Sequence, residues 1–198
     1  MTKTYHVVGI GNAMVDILCY EDENFLNLNK ISKGVMQLID LTRAKKLHKL
    51  IKVSKSMSGG SAANTIAGIA QLGGNTAYIG KVKDDQLGNI FAQDLRNQNV
   101  IYSTPFADDK SVDETGRCTI IVTPDGERSM NTYLGVTEYL QPSDIDEQKI
   151  RVALSPKALI APNIGLAHLI LERQKLRIKI KQEYGKIELE DLEDGLEF

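Results

Sequence analysis

"SGGSAANTIAG", residues 58–68, sets two bare glycines directly before a run of small residues that favours a helix. Ser61–Leu72 is predicted helical, with Ala62, Ala63, Ile66, Ala67, Ile69 and Ala70 forming its apolar side and Gly73-Gly74 stopping it. A helix start exposes unpaired backbone N–H groups and a partial positive charge. Gly59 and Gly60 lack a Cβ, so a ligand can come close to that backbone. One turn in, Ser61 and Asn64 are three apart and share a face that Gly68 continues. Two readings stand at this point. A small hydroxylated molecule rests on that polar face, or the glycines serve close packing of a helix on a sheet.

Working outward, "HVVGI" (6–10) is a β-rich run that reads as a central strand, and "GNAMVDILCYED" leads from it into a second extended segment. Gly11, Asn12 and Asp16 then lie at the carboxyl edge of a parallel sheet, where open α/β folds bind ligands. An ionised Asp accepts two hydrogen bonds from vicinal hydroxyls, the pairing that a sugar needs. "NTAYIGKV" (75–82) reads as another strand. Asp84 is predicted to cap a helix carrying Leu87, Ile90, Phe91 and Leu95 at helical spacing. "TGRCTIIVTPDGERSMNTYLGV" (115–136) reads as a hairpin turning at Pro124-Asp125-Gly126. Alternating strands and helices indicate an α/β core, and the pieces near 17–20 and 119–132 indicate an added β-layer.

Composition narrows the function classes. The chain has 198 residues, 42% hydrophobic, enough for one domain with a real core. A net charge of −2 gives no general pull toward nucleic acid or anionic membrane; the cations between Arg173 and Lys181 are outweighed by that balance. Two cysteines, Cys19 and Cys118, make neither a disulfide framework nor a metal motif. The broken apolar run at the start is unlike a signal peptide, and no stretch reaches the length of a membrane span, so a cytoplasmic protein is expected.

"GIGNAMVD" (9–16), "SGGSAANT" (58–65), "GKVKDDQLG" (80–88) and "TPDGERSM" (123–130), in this order, resemble the amino-terminal half of the ribokinase-like, or PfkB, kinases of carbohydrates and nucleosides. The spacing is most similar to the adenosine-kinase-like branch. The resemblance covers about residues 4–147. It implies a parallel-sheet core with helices on both faces and a small β-sheet lid over the sugar. It also implies transfer of the γ-phosphate of ATP, with Mg²⁺, to a primary hydroxyl. By that resemblance Asp16 holds the sugar hydroxyls with Asn12 beside it. Gly59, Gly60 and Ser61 give contacts at the glycine pair, and Asn64 donates to a ribose-type hydroxyl. Gln37, in "KGVMQLID" (33–40), matches a lid position, Arg128 falls where lid residues close over substrate, and Met130 and Thr132 are expected on the inner face. Gln37 and Met130 as ordinary strand residues, and Arg128 as a surface cation, remain equal alternatives. Lids of this kind also pair across subunits, which makes a homodimer the alternative to an enzyme.

Residues 1–150 are expected to form this substrate-binding portion, and 151–198 an unassigned charged tail. The family's late "GAGD"-type turn supplies a general base and an anion hole. No such run occurs from Ile150 onward; "EDGLEF" (193–198) has no paired glycines. Phosphoryl transfer rests on the positioning and electrostatics that such a turn provides, so these residues alone are expected to be inactive. "ALSPKALIAPNIGLAHLILERQKLRIKIKQ" (153–182) does not read as the family's next strand and helix, as if the family text had been cut short, although Leu176, Ile178 and Ile180 alternate as a short strand would.

Overall fold

In a computed structural model of the protein, residues 5–108, 113–145, 159–160, 178–183 and 186–191 are described. In chain order the elements are β1 (Val7–Ile10), β2 (Met14–Tyr20), α1 (Glu23–Leu28), β3 (Met36–Leu38), α2 (Leu41–Leu50), β4 (Lys55–Gly59), α3 (Ser61–Gln71), β5 (Thr76–Ile79), α4 (Gln86–Asn97), β6 (Val100–Tyr102), β7 (Gly116–Val122), β8 (Arg128–Tyr133), β9 (Leu159–Ile160), β10 (Ile178–Glu183) and β11 (Lys186–Asp191).

They form two sheets. The first runs β10-β11-β9-β1-β5-β6, with β9, β1, β5 and β6 parallel and the β10-β11 hairpin antiparallel at one side. The second runs β3-β8-β7-β2-β4. Its central pair, β2 with β7, is parallel, and β4 and β8 flank that pair antiparallel. The expected α/β core with a β-layer is what the chain builds.

One core joins the sheets. Ala13, Val15 and Ile17 meet Ala63, Ile66 and Ala67 of α3, and Phe91 and Leu95 of α4. Tyr78, Phe91 and Tyr102 stack edge-on and tilted, with Phe91 and Tyr102 centroids 5.4 Å apart. Ile66 lies so close over Gly9 that any Cβ at residue 9 would overlap it. This bare strand position lets α3 lie on the sheet. A second cluster of Cys19, Leu26, Ile31, Leu47 and Ile121 seals α1 and α2 beneath the five-stranded sheet.

Helix α3 starts and ends where its glycines predict, with Gly73 at φ +87° after it. The hairpin turns at Pro124-Asp125-Gly126, where the Gly126 N–H donates to the Thr123 carbonyl at 2.8 Å. Three sequence expectations are corrected. Asp85, not Asp84, caps α4: Asp85 Oδ1 accepts from Gly88 N at 2.8 Å, while Asp84 Oδ1 accepts from the Asn89 side-chain amide at 3.1 Å. The strand in "NTAYIGKV" stops at Ile79, because Gly80 lies 2.7 Å (as a hypothetical Cβ) from the Gly11 carbonyl and the chain leaves the sheet there. After Ile150 the chain does return to the sheet: Leu159–Ile160 adds a parallel strand beside β1. Its two residues are too short to show a period. Ile178–Glu183 forms the short strand that its alternation suggested; Leu176 and most of 151–198 lie outside the described residues. Among the described residues no helix is long and apolar enough to cross a membrane.

Candidate functional site

Residues facing each other across paired strands share a face of the sheet. On β2, Val15, Ile17 and Cys19 are buried toward the helices, which leaves Met14, Asp16 and Leu18 on the opposite, inner face. The register extends that face through Met57 on β4, Cys118 and Ile120 on β7, Met130 and Thr132 on β8, and Met36 and Leu38 on β3. The inner face therefore collects Met14, Met36, Met57 and Met130 around a single carboxylate.

That carboxylate, Asp16, is half-buried and accepts no hydrogen bond from the described residues. Burial alone pushes its pKa from 3.8 up to about 6. It sits over Gly59, where a Cβ would run into the Asp16 carboxyl group. Gly60 follows at φ +99°, and a Cβ there would lie 2.5 Å from the Asn12 carbonyl oxygen. The Gly60 carbonyl accepts the first α3 hydrogen bond from Asn64 N at 2.9 Å. On α3, Ser61, Asn64, Thr65, Gly68 and Gln71 are exposed, at spacings of three and four, while Ala63, Ile66 and Ala67 are buried. These contacts bring Asn12, Asp16, Gly59 and Gly60 together where α3 starts, and Ser61 and Asn64 stand exposed on that helix. A carboxylate of raised pKa over bare backbone, without a hydrogen-bond partner among the described residues, is suited to binding hydroxyl groups.

The other expected residues are placed as follows. Met130 lies on the inner face, paired with Met36 on β3 and one pair along from the Asp16 row. Thr132 is in that row, donating its hydroxyl to Cys118 Sγ at 3.3 Å. Arg128 shares the face but stands exposed at the hairpin end, two pairs from the Asp16 row. Four residues of strand separate them, about 13 Å. Gln37 is not brought to the site. It pairs with Asn131, donates Nε2 to Asn131 Oδ1 at 2.6 Å, and faces the helices, because period-two alternation turns it away from Met36 and Leu38. Sequence reading missed Cys118, which β2-β7 pairing sets beside Asp16; burial there pushes its thiol up to about 11, with the Asp16 charge adding to the effect.

The sequence matches the family model of pfkB family carbohydrate kinases over residues 6–158. The chain belongs to this family. As a pfkB chain it is similar to the adenosine kinase of Sinorhizobium meliloti, with 40% identity and a TM-score of 0.69 over 80% of this chain and 56% of that one. A probable sugar kinase of Rhizobium etli has 38% identity and a TM-score of 0.70 over the same shares. The 5-dehydro-2-deoxygluconokinase of Geobacillus thermodenitrificans is 31% identical over 83% of this chain and 42% of its own length. The pfkB chain described here spans about half the length of these relatives.

Proposed function

We propose that these residues are the acceptor-binding portion of an ATP-dependent phosphotransferase. In this reading it takes a ribose-type sugar or nucleoside whose primary hydroxyl is the acceptor. The observation that carries this reading is the unpaired Asp16 carboxylate seated over Gly59. Ionised, it accepts from two neighbouring hydroxyls; Asn64 exchanges hydrogen bonds with a third, and the bare backbone of Gly59 and Gly60 lets the ring come close. Asn12 borders the polyol, Ser61 contributes at the helix start, and Met130 covers its apolar side. Arg128 closes over it only if the hairpin end moves inward.

Family membership implies ATP as donor. Among the described residues no three His, Cys, Asp or Glu side chains cluster to hold a metal ion. Mg²⁺ would enter with the nucleotide phosphates, needing only one or two carboxylates and water beside them. With no paired-glycine and aspartate turn after Ile150, the 198 residues alone bind acceptor without transferring phosphate. In this reading the protein works in the cytoplasm.

Calorimetry with adenosine, ribose and fructose, beside phosphate transfer from radiolabelled ATP, tests both parts. Binding of at least one polyol without transfer is expected. No binding to any of them defeats the acceptor reading, and measurable transfer defeats the inactivity. A second reading has one observation in its favour: Met36 and Leu38, on the edge strand β3, are 55% and 62% exposed and apolar. A homodimer paired through the lid would cover them, and a discrete dimer mass in solution would support it.

A further inference from the structure

Strand β4 is the outer strand of its sheet, so the N–H groups on its free side have no neighbouring strand to bond. At Ser58 this vacancy is filled by a side chain. One oxygen of Asp94, on α4, accepts from the Ser58 backbone N–H at 2.7 Å and from the Ser58 hydroxyl at 2.7 Å. Gln98, just past the end of α4, donates to the same hydroxyl at 3.3 Å. Hydrogen bonds to an ionised acceptor are stronger than neutral ones, and two converge here on one oxygen.

Ser58 directly precedes the glycine pair. Its position fixes Gly59, on which the Asp16 carboxyl rests, and Gly60, whose carbonyl opens α3 at Asn64. The same helix holds the strand on the other side of β2. Asp85 Oδ2 accepts from the Thr115 N–H at 2.9 Å, one residue before β7 begins. Helix α4 can approach this closely because residue 88 is glycine; a Cβ there would overlap the Lys83 carbonyl. Two aspartates nine residues apart on α4, about 13 Å, thus grip the two neighbours of the strand that carries Asp16.

We propose that Asp94 is a positioning residue of the acceptor site, acting through Ser58 to hold Gly59 and Gly60 against Asp16 and Asn64. It touches no ligand itself. The inference rests on the acceptor reading for its consequence on binding, but its geometric content can be read without any ligand.

The test follows the Asp16 carboxyl by carbon-13 NMR across pH, together with calorimetric affinity for adenosine and ribose, in the wild type, Asp94→Ala, Asp94→Asn and Ser58→Ala. On the inner face the titratable group paired with Asp16 is Cys118, with Met57 on the other side; Lys55 and Arg128 are the charged groups further along. Releasing β4 lets water reach the carboxyl group, so in Asp94→Ala its midpoint falls from about 6 toward the ordinary carboxylate value and affinity drops tenfold or more. Asp94→Asn keeps an accepting oxygen and restores most of both. Ser58→Ala, which keeps the backbone donor, moves both in the same direction by less, and it serves if Asp94→Ala does not fold. An unchanged Asp16 midpoint in folded Asp94→Ala and in Ser58→Ala overturns the proposal. If neither sugar binds the wild type yet the midpoint still falls, the acceptor reading fails and the positioning role stands.

Discussion

The two faces of the five-stranded sheet are made from the same strands and differ in what they leave undone. Toward the helices, Val15, Ile17, Cys19 and Ile121 are wholly buried. Toward the open side, Asp16 has no hydrogen-bond partner among the described residues and four methionines stay partly or well exposed. One face is closed by apolar packing and supports the fold, whereas the other holds a half-buried carboxylate among partly exposed methionines. On the proposed acceptor reading, stability and recognition are separated by alternation along single strands, with neighbouring residues serving opposite purposes.

The comparison breaks most clearly at Asp16. Asp16→Asn should abolish polyol binding in calorimetry while the protein stays folded. It should also raise the melting temperature at pH 7 by a few degrees. The pKa of Asp16 in the fold, about 6, stands above its ordinary 3.8, so between those values the folded chain keeps a proton that the unfolded chain releases. Stability contributed by this group is present below about pH 4 and is lost as pH rises through about 6. The wild type should therefore lose melting temperature across that window and the variant should not; parallel curves would show that burial of Asp16 is unimportant.

Next in size is Ile17→Ala, one residue along on the other face. Removing a wholly buried side chain should cost about 2–5 kcal/mol in denaturant unfolding, with acceptor affinity unchanged in the folded protein. A loss of affinity larger than the loss of stability explains would mean that the two faces are coupled. The smallest effect belongs to Gln37→Ala, which deletes one hydrogen bond to Asn131 and should cost about 1 kcal/mol with no change in binding. Weakened binding there would return Gln37 to the site.

Much of this was legible before coordinates. Helix α3 announces itself through apolar residues at helical spacing between two glycine pairs, and the 116–133 hairpin through its turn residues. Spacing within each motif sets Ser61 and Asn64 on the exposed side of α3 and Asp16 on the strand face opposite Val15 and Ile17; joining them across 48 positions needed the family resemblance. Gln37 was misplaced because alternation shows that residues differ in face, not which face is which; that depends on the neighbouring strand, β8, more than ninety positions away. Asp94 was invisible for a related reason. Its partner lies 36 positions upstream, and an aspartate on the partly buried side of an amphipathic helix has no signature of its own. The β9 pairing likewise comes from the sheet edge that receives it, since two residues carry no pattern.

The strands β2 and β7 lie side by side although the chain between them is long; Cys19 and Ile120, which meet across them, are 101 positions apart. Bringing such distant segments together carries a large loop-closure cost, which favours local contacts forming first. The α3-β5-α4-β6 part can assemble from near neighbours in the chain, and β1 joins β5 across 69 positions, fewer than the 101 between β2 and β7. The proposed acceptor surface is then completed last, on a framework already standing, so a slow-folding population would hold an intact core before that surface exists.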